Sequence, residues 1–296
     1  MYILYAALGY FCLGLVALLD KFILSKKISH PLTYAFYISL PFLLLFFCFP
    51  FVAHWPANWW DWIAVVGAGI FFFLGLWLMF IGVQKSEVSH VGPLVGAVIP
   101  ISSLIISFYL FGDLPSCQAI SGIALLSLGS LLIAFEQSRA HHGIHFGMFW
   151  GILAGLAFSW SHVASKIVYL DLGFTSGLIL SRSVLGLCAL LVLFFAFVRR
   201  EVFSKHKNNQ HNNRLVVFFN LSLSIVGVLL VQYAISLGNV AIVNAFEGLK
   251  YAVLIILVAL FSKFIPKILK EEYSKGEMAQ EIVAVLLIGI GLMLLI

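Results

Sequence analysis

The sequence predicts an all-α membrane protein, with ten transmembrane helices arranged as two inverted five-helix repeats. The first observation is composition: of 296 residues, 62% are hydrophobic and 10% are charged, and the mean hydropathy is +1.10. A soluble domain is about 45–50% apolar and about 25% charged, so a soluble fold could not cover this much apolar surface. Composition therefore excludes a cytosolic enzyme, a nucleic-acid-binding domain and a disordered protein.

Ten apolar runs are long enough to cross a bilayer, which takes about 20 mostly apolar residues. They cover about 2–19, 31–53, 59–83, 87–111, 116–135, 147–168, 174–198, 215–236, 240–262 and 278–296. Backbone polar groups cannot stay unpaired in lipid, and the period-2 alternation of barrel strands is not visible, so the runs are predicted to be helices. The first run has no basic segment before it, which favours a membrane helix over a cleaved signal.

Positive charge alternates between successive connections. All but three of the 17 Lys and Arg residues follow spans 1, 3, 5, 7 and 9. These are Lys21, Lys26, Lys27, Lys85, Arg139, Arg199, Arg200, Lys205, Lys207, Arg214, Lys263, Lys267, Lys270 and Lys275. Positive loops stay in the cytoplasm, so both termini are predicted to lie outside a plasma (cytoplasmic) membrane. The loop from Trp55 to Trp62 then lies at the outer face as an aromatic belt, with a substrate-binding lid as the alternative.

The two halves of the chain resemble each other. A lysine closes the first span of each half, and Gln and Gly recur at matching places in spans 5 and 10. The matched residues are Lys21 and Lys166, Gln118 and Gln280, and Gly129 and Gly291. Five spans per unit make the second copy enter from the opposite side, which gives an axis in the membrane plane and a site between the halves. We predict a first repeat at 1–135, a linker at 136–146 and a second repeat at 147–296.

One pattern resembles a known family. Val88-Ser89-His90-Val91-Gly92-Pro93-Leu94, then Ile99-Pro100, then Phe111-Gly112-Asp113-Leu114-Pro115 is similar to the EamA type of the drug/metabolite transporter superfamily. The resemblance implies a cavity lined mainly by spans 1, 3, 4, 6, 8 and 9. The chain departs from the family where Asp113 replaces the usual Glu, and where Ala245 and Ala252 stand at the places of Pro93 and Pro100. Many members also have cytoplasmic termini, the reverse of the charge prediction.

Span 9 carries two ionisable residues inside the membrane, Glu247 and Lys250. Such a group costs about 2.5–3.5 kcal/mol at a helix centre, so each needs a reason. The two are three residues apart and are neighbours on one helical surface. Asn244, Glu247 and Tyr251 follow i, i+3, i+7 and are expected to share a face. Either these residues line a substrate or ion site, or Glu247 and Lys250 form a structural ion pair.

Further candidates lie in spans 6, 7 and 8. Arg182 in span 7 either snorkels to a headgroup or lines the cavity, and Gln232 in span 8 is a weaker candidate. In span 6, Trp160 belongs to a polar patch with His162, which is either a proton relay or a buried core histidine. Asp20, Lys21 and Lys166 lie at span ends, where they either snorkel to the membrane surface or act as gates. Pro93 and Pro100 are expected to kink span 4 and are further gate candidates. Glycines spaced by four in spans 4 and 6 predict tight helix crossings.

No nucleotide-binding loop, HExxH or serine-nucleophile motif occurs, so neither an enzyme nor an ATP-driven pump is predicted. No cofactor or metal is expected; the histidines between residues 141 and 145 read as a polar linker rather than a metal site. The leading hypothesis is a secondary transporter or exchanger of a small metabolite by alternating access, with a coupling proton or cation left open. A flippase for lipid or amphipathic substrates is the alternative, and an intramembrane lipid-acting enzyme is the alternative of another class. Membrane lipids are the expected surroundings, and a homodimer is left open.

Overall fold

The computed structural model describes residues 1–23, 30–85, 88–112, 114–135, 146–203, 214–261 and 275–296. Within these ranges, ten helices are long and apolar enough to cross a membrane, and there is no strand. The predicted fold class, an all-α membrane protein with ten spans, is confirmed. We number the helices α1 to α10, so that each corresponds to one predicted span.

The first half contains five spans. They are α1 (Tyr2–Ile23), α2 (Pro31–Ser39, continued by a 3₁₀ helix over Leu40–Phe51), α3 (Trp59–Lys85), α4 (Val88–Phe111) and α5 (Cys117–Ala134). The second half contains α6 (Phe146–Leu172), α7 (Phe174–Val192), α8 (Arg214–Leu237), α9 (Val240–Ala245 and Glu247–Phe261) and α10 (Lys275–Leu295). A short helix, Ala196–Phe203, follows α7.

The second and the seventh span differ from the prediction in helix type and in length. The second changes from an α-helix to a 3₁₀ helix at Leu40. The 3₁₀ segment contains Pro41 and Pro50, and each lacks the N–H that an α-helical turn needs. The seventh was predicted to run to residue 198, but α7 ends at Val192 and the chain turns before the short helix begins. That short helix holds Arg199 and Arg200, whose charges belong at the membrane surface rather than inside it.

Local residue chemistry explains several helix ends. Asn239 begins α9, because its Oδ1 accepts from the backbone N–H groups of Ala241 and Ile242. The hydroxyl of Ser116 caps α5 by accepting from Ala119. Gly173 is the whole connection between α6 and α7, and its φ of 76° is one that a side chain would strain.

Helix pairing follows one scheme in both halves. Helix α6 packs against α3 and α4, and α1 packs against α8 and α9. If α1 is taken as the counterpart of α6, α3 of α8 and α4 of α9, the contacts of α6 with α3 and α4 correspond to the contacts of α1 with α8 and α9. Helices α5 and α10 pack on each other. A Cβ on Gly122 would lie 2.9 Å from the Gly291 carbonyl oxygen, and one on Gly129 would lie 2.9 Å from that of Ala284. The two helices therefore run antiparallel.

The glycines spaced by four residues in α6 let this helix approach α3 and α4 closely. On α6, Gly147 faces Gly82 of α3, while Gly151 and Gly155 face valines of α4. A Cβ on Gly155 would lie 2.7 Å from Cβ of Val98, which leaves no room for a side chain. The tight crossings predicted for spans 4 and 6 are confirmed.

Several sequence predictions fall outside the described residues. Asp113 and the histidines at 141, 142 and 145 lie there, as does nearly all of the predicted linker 136–146. Asp20 and Lys21 belong to the last turn of α1, but their side chains are outside the described part.

Candidate functional site

The ninth span is interrupted at Phe246, inside the membrane-spanning length. The backbone N–H of Phe246 donates to the Val243 carbonyl at 3.2 Å, and that of Leu249 donates to the Phe246 carbonyl at 2.9 Å. Both bonds join residues three apart in sequence, rather than the four of an α-helix, so the chain makes a tight turn between two helical pieces. Helix α4 continues through Pro93 and Pro100. The break thus occurs in the half without the prolines, where the sequence predicted none.

Glu247 opens the second piece of α9 and anchors what we call the Glu247 cluster: Tyr10, Glu247, Lys250 and Tyr251. The Lys250 Nζ donates to Glu247 Oε1 at 3.1 Å, and the side chains are 22% and 10% exposed. The predicted i, i+3 ion pair is present. The Lys250 Nζ also lies 4.7 Å from the ring centre of Tyr251. Negative and positive charge balance within this cluster.

The first half of the chain completes the Glu247 cluster. The hydroxyl of Tyr251 donates to the Gly92 carbonyl of α4 at 2.5 Å. Gly96 of the same helix faces the Tyr251 ring, and a Cβ there would lie 2.5 Å from it. Tyr10 of α1 is 2% exposed and is close enough to Glu247 and Tyr251 to interact electrostatically. The ion pair therefore lies between the two halves.

A second polar group lies on the other side of the α9 break. We call it the Arg182 cluster: His162 and Tyr169 of α6, Arg182 of α7, Gln232 of α8 and Asn244 of α9. His162 Nδ1 and Asn244 Oδ1 are 2.8 Å apart, so the histidine donates and the amide oxygen accepts. The Tyr169 hydroxyl donates to Gln232 Oε1 at 2.8 Å. All five side chains are buried.

Arg182 is the charge in this cluster, and it is 1% exposed. Its guanidinium carbon lies 4.2 Å from the ring centre of Phe72, a residue of α3 in the first half. It interacts with Tyr169 and, electrostatically, with His162. Its Nε and Nη2 have no hydrogen-bond partner, nor does Nδ2 of Asn244. Among the described residues no carboxylate pairs with Arg182.

Serine side chains of α6 fasten this helix to the first half around the clusters. Ser161 donates to the Ala68 carbonyl of α3 at 2.6 Å, and Ser159 donates to the Ile99 carbonyl of α4 at 3.1 Å. The hydroxyls of Ser159 and Ser102 are 2.5 Å apart. These bonds satisfy the hydroxyl groups of buried serines and fasten α6 to α3 and α4 beside His162.

The structure brings together most of the sequence candidates but not all. Trp160 is 45% exposed and stacks on Phe71, so its ring is directed away from both clusters. Lys166 donates to the Ser236 carbonyl at 3.0 Å and thereby caps the end of α8. Asn244 was expected to share a face with Glu247 and Tyr251, but it pairs with His162 instead.

Two tyrosines of these clusters were missed by sequence reasoning. Tyr169 follows His162 by seven residues, a spacing that places both on one face of α6, so helical periodicity could have found it. Tyr10 offers no such signal, because it is one of several aromatic residues in an apolar run and its partners are in α9.

These features define a class: a ten-span helical membrane protein with buried polar side chains gathered between its halves. The model of the EamA-like transporter family matches residues 1–135. The match confirms, over residues 1–135, the resemblance to the EamA type of the drug/metabolite transporter superfamily that was found in the sequence. The match is carried by the first five spans.

Comparison with solved structures shows that the fold of the whole chain is shared with other proteins. Among solved structures, 25 chains are similar. One is a crystal structure described only as that of a protein; it has 14% sequence identity and a TM-score of 0.68, covering 99% of this chain and 95% of that one. At this identity the likeness shows a shared fold over the whole chain and nothing about substrate. No curated protein matches the sequence.

Proposed function

We propose that the protein is a secondary transporter that moves a small metabolite by alternating access, with its binding site between the two halves. The observation that carries the proposal is the pair of buried polar clusters on either side of the break in α9. A broken helix is the usual place for substrate and ion sites in such transporters, because its turn leaves backbone and side chains free to contact ligand. In this proposal the two clusters take different parts of the cargo.

The halves are proposed to be inverted repeats that rock against each other. The antiparallel crossing of α5 and α10 supports this, because the contact between Gly122 and Gly291 maps onto the contact between Ala284 and Gly129 when the halves are exchanged. A pseudo-two-fold axis in the membrane plane would pass through that crossing. Superposition of residues 1–135 on 147–296 by a rotation about the membrane normal would contradict it.

Counterflow in proteoliposomes tests the transport function. A thermal-shift screen of metabolites on purified protein first identifies a solute that binds, and labelled solute then enters vesicles preloaded with the same unlabelled solute. Exchange above that of empty liposomes is expected. Binding without exchange would favour a non-transporting role, and conversion of lipid or solute would favour the enzyme hypothesis.

Coupling is proposed to involve Glu247, the one acidic side chain of the two clusters. Glu247→Gln keeps the size of the side chain and removes the charge that binds a proton or cation. We expect counterflow to persist and gradient-driven accumulation to be lost or changed. Accumulation equal to that of the unchanged protein would show that Glu247 is not the coupling site. Arg200→Gln, an exposed charge on the short helix, is the control.

The orientation stays a proposal: both termini outside, and the connections around residue 208 and after α9 inside. Four tryptophans in the loop before and at the start of α3 are at least 39% exposed, as expected at headgroup level. A single cysteine at Asn58 should be labelled from outside in intact cells, in a background without the four natural cysteines. A cysteine at residue 208 should not. The opposite result would invert the orientation.

A further inference from the structure

The Arg182 guanidinium presents one free edge. Its Nε and Nη2 lie on the same side of the planar group and point their N–H bonds in parallel, and these two nitrogens are the ones without a partner. Parallel donors of this kind match the two oxygens of a carboxylate or phosphate. The Phe72 ring covers one flat face of the guanidinium, with its centre 4.2 Å from the guanidinium carbon. A ligand would therefore approach in the plane of the group, at the free edge.

The charge of Arg182 needs compensation that the described chain does not supply. A buried charge without a partner is costly, and stable proteins normally pair such groups or leave them neutral. Arg182 is 1% exposed, and its neighbours His162, Tyr169 and Phe72 carry no negative charge. The contrast with Lys250, which has Glu247 at 3.1 Å, shows that this protein does pair its other charge in the site.

The rest of the cluster also offers a donor. The Asn244 amide oxygen is taken by His162, which leaves its Nδ2 buried and unpaired. Two side chains, both at most 1% exposed, thus have N–H groups without acceptors in one cluster. The Gln232 carbonyl oxygen is already occupied by Tyr169. The imbalance favours a ligand that accepts hydrogen bonds and carries negative charge.

We propose that the Nε and Nη2 edge of Arg182 binds an anionic group, a carboxylate or phosphate, of the molecule that the protein transports. The inference rests on the proposed transport function and narrows its cargo to anions. Asn244 lies in the same cluster and donates to the same ligand. The Glu247–Lys250 pair is internally neutral, so it adds no net charge to the selection of this anionic group.

The test measures the melting temperature of the purified full chain with four probes. These are sodium succinate, sodium phosphate, and micelles doped with phosphatidylglycerol or with phosphatidylcholine, all against sodium chloride at equal ionic strength. We expect at least one anionic probe to raise the Tm saturably, by about 5 °C when the site is filled. A shift with succinate or phosphate assigns a soluble cargo, and a shift with phosphatidylglycerol alone assigns a lipid headgroup.

Three variants make the result specific to Arg182. Arg182→Met should abolish the shift, and Arg182→Lys should weaken binding by at least about tenfold, because the charge stays but the fork of parallel donors is lost. Arg200→Gln removes an exposed positive charge and should leave the shift unchanged. If Arg182→Met does not fold, Arg182→Lys still discriminates.

Failure of this inference is distinguishable from failure of the transport proposal. Absence of a saturable shift with every probe, or a shift that survives in Arg182→Met, would overturn the anion site. Counterflow of a neutral or cationic solute would overturn it too, while transport would stand. An Arg182-dependent shift without counterflow of the same anion would keep the anion site and refute transport.

Discussion

The Glu247 cluster and the Arg182 cluster lie on either side of one break in α9, yet they handle charge in opposite ways. In the first, Lys250 bonds Glu247 at 3.1 Å within one helix piece. In the second, Arg182 is more deeply buried and has no carboxylate partner in the described chain. The charge of Lys250 is stabilised by Glu247, whereas in our proposal the charge of Arg182 is stabilised only by a bound ligand. The first cluster is therefore stable without a ligand, and the second is complete only when a ligand is bound.

The largest effect should come from breaking the pair. Lys250→Met leaves the Glu247 carboxylate buried and unpaired, which should cost about 3 kcal/mol of unfolding free energy in detergent. Glu247→Gln should act in the same direction. The double variant should recover most of the loss, because neither charge remains. A double variant as unstable as the sum of the singles would show that the two residues are not coupled.

The next effect tests how tightly α4 holds the Glu247 cluster. In Gly96→Ala, the new Cβ would lie 2.5 Å from the Tyr251 ring and 3.3 Å from Glu247 Cγ, so Tyr251 must move from the Gly92 carbonyl. Overpacking of this kind costs about 1–3 kcal/mol. Gly289→Ala in α10 is the matched control, because nothing lies within 4 Å of the added atom. Equal thermal stability of the two variants would contradict the close contact.

Removal of the Arg182 charge is expected to increase stability, in contrast to removal of the Lys250 charge. In buffer without a binding anion, Arg182→Met should raise the unfolding free energy by about 1 kcal/mol, because it removes a buried donor group that lacks acceptors. The measurement is the same detergent unfolding experiment used for Lys250→Met. A loss as large as that of Lys250→Met would mean that the charge is already compensated, and the contrast between the clusters would disappear.

The smallest effect concerns a neutral contact of the Arg182 cluster. Tyr169→Phe removes the hydroxyl that donates to Gln232 Oε1 at 2.8 Å, and it should lower stability by about 1 kcal/mol. Tyr109→Phe, at a side chain that is 80% exposed, is the control and should be nearly neutral. A Tyr169→Phe variant as stable as Tyr109→Phe would indicate that Gln232 finds another donor.

Much of the candidate site could be predicted from local spacing. Glu247 and Lys250 are three residues apart in a helix, and the structure shows them as an ion pair. The pairing of His162 with Asn244 could not be predicted, because 82 residues separate them and only the packing of α6 against α9 brings them together. The same holds for Arg182 and Phe72, which belong to different halves. Trp160 lies two residues before His162 and faces outward, because residues two apart lie on different faces of a helix.

By itself, the sequence determined that this is a membrane protein, how many spans it has and which positions carry charge. The physical reason is that lipid acts on each segment separately: about 20 apolar residues must form a helix wherever the rest of the chain goes. Whereas the Glu247–Lys250 pair already follows from helical spacing, the tertiary structure alone decided where α9 breaks and that the Arg182 guanidinium is left with a free edge. Those features depend on contacts between helices distant in sequence, and in a dry interior each polar atom is stable or costly according to what the neighbouring helices place beside it.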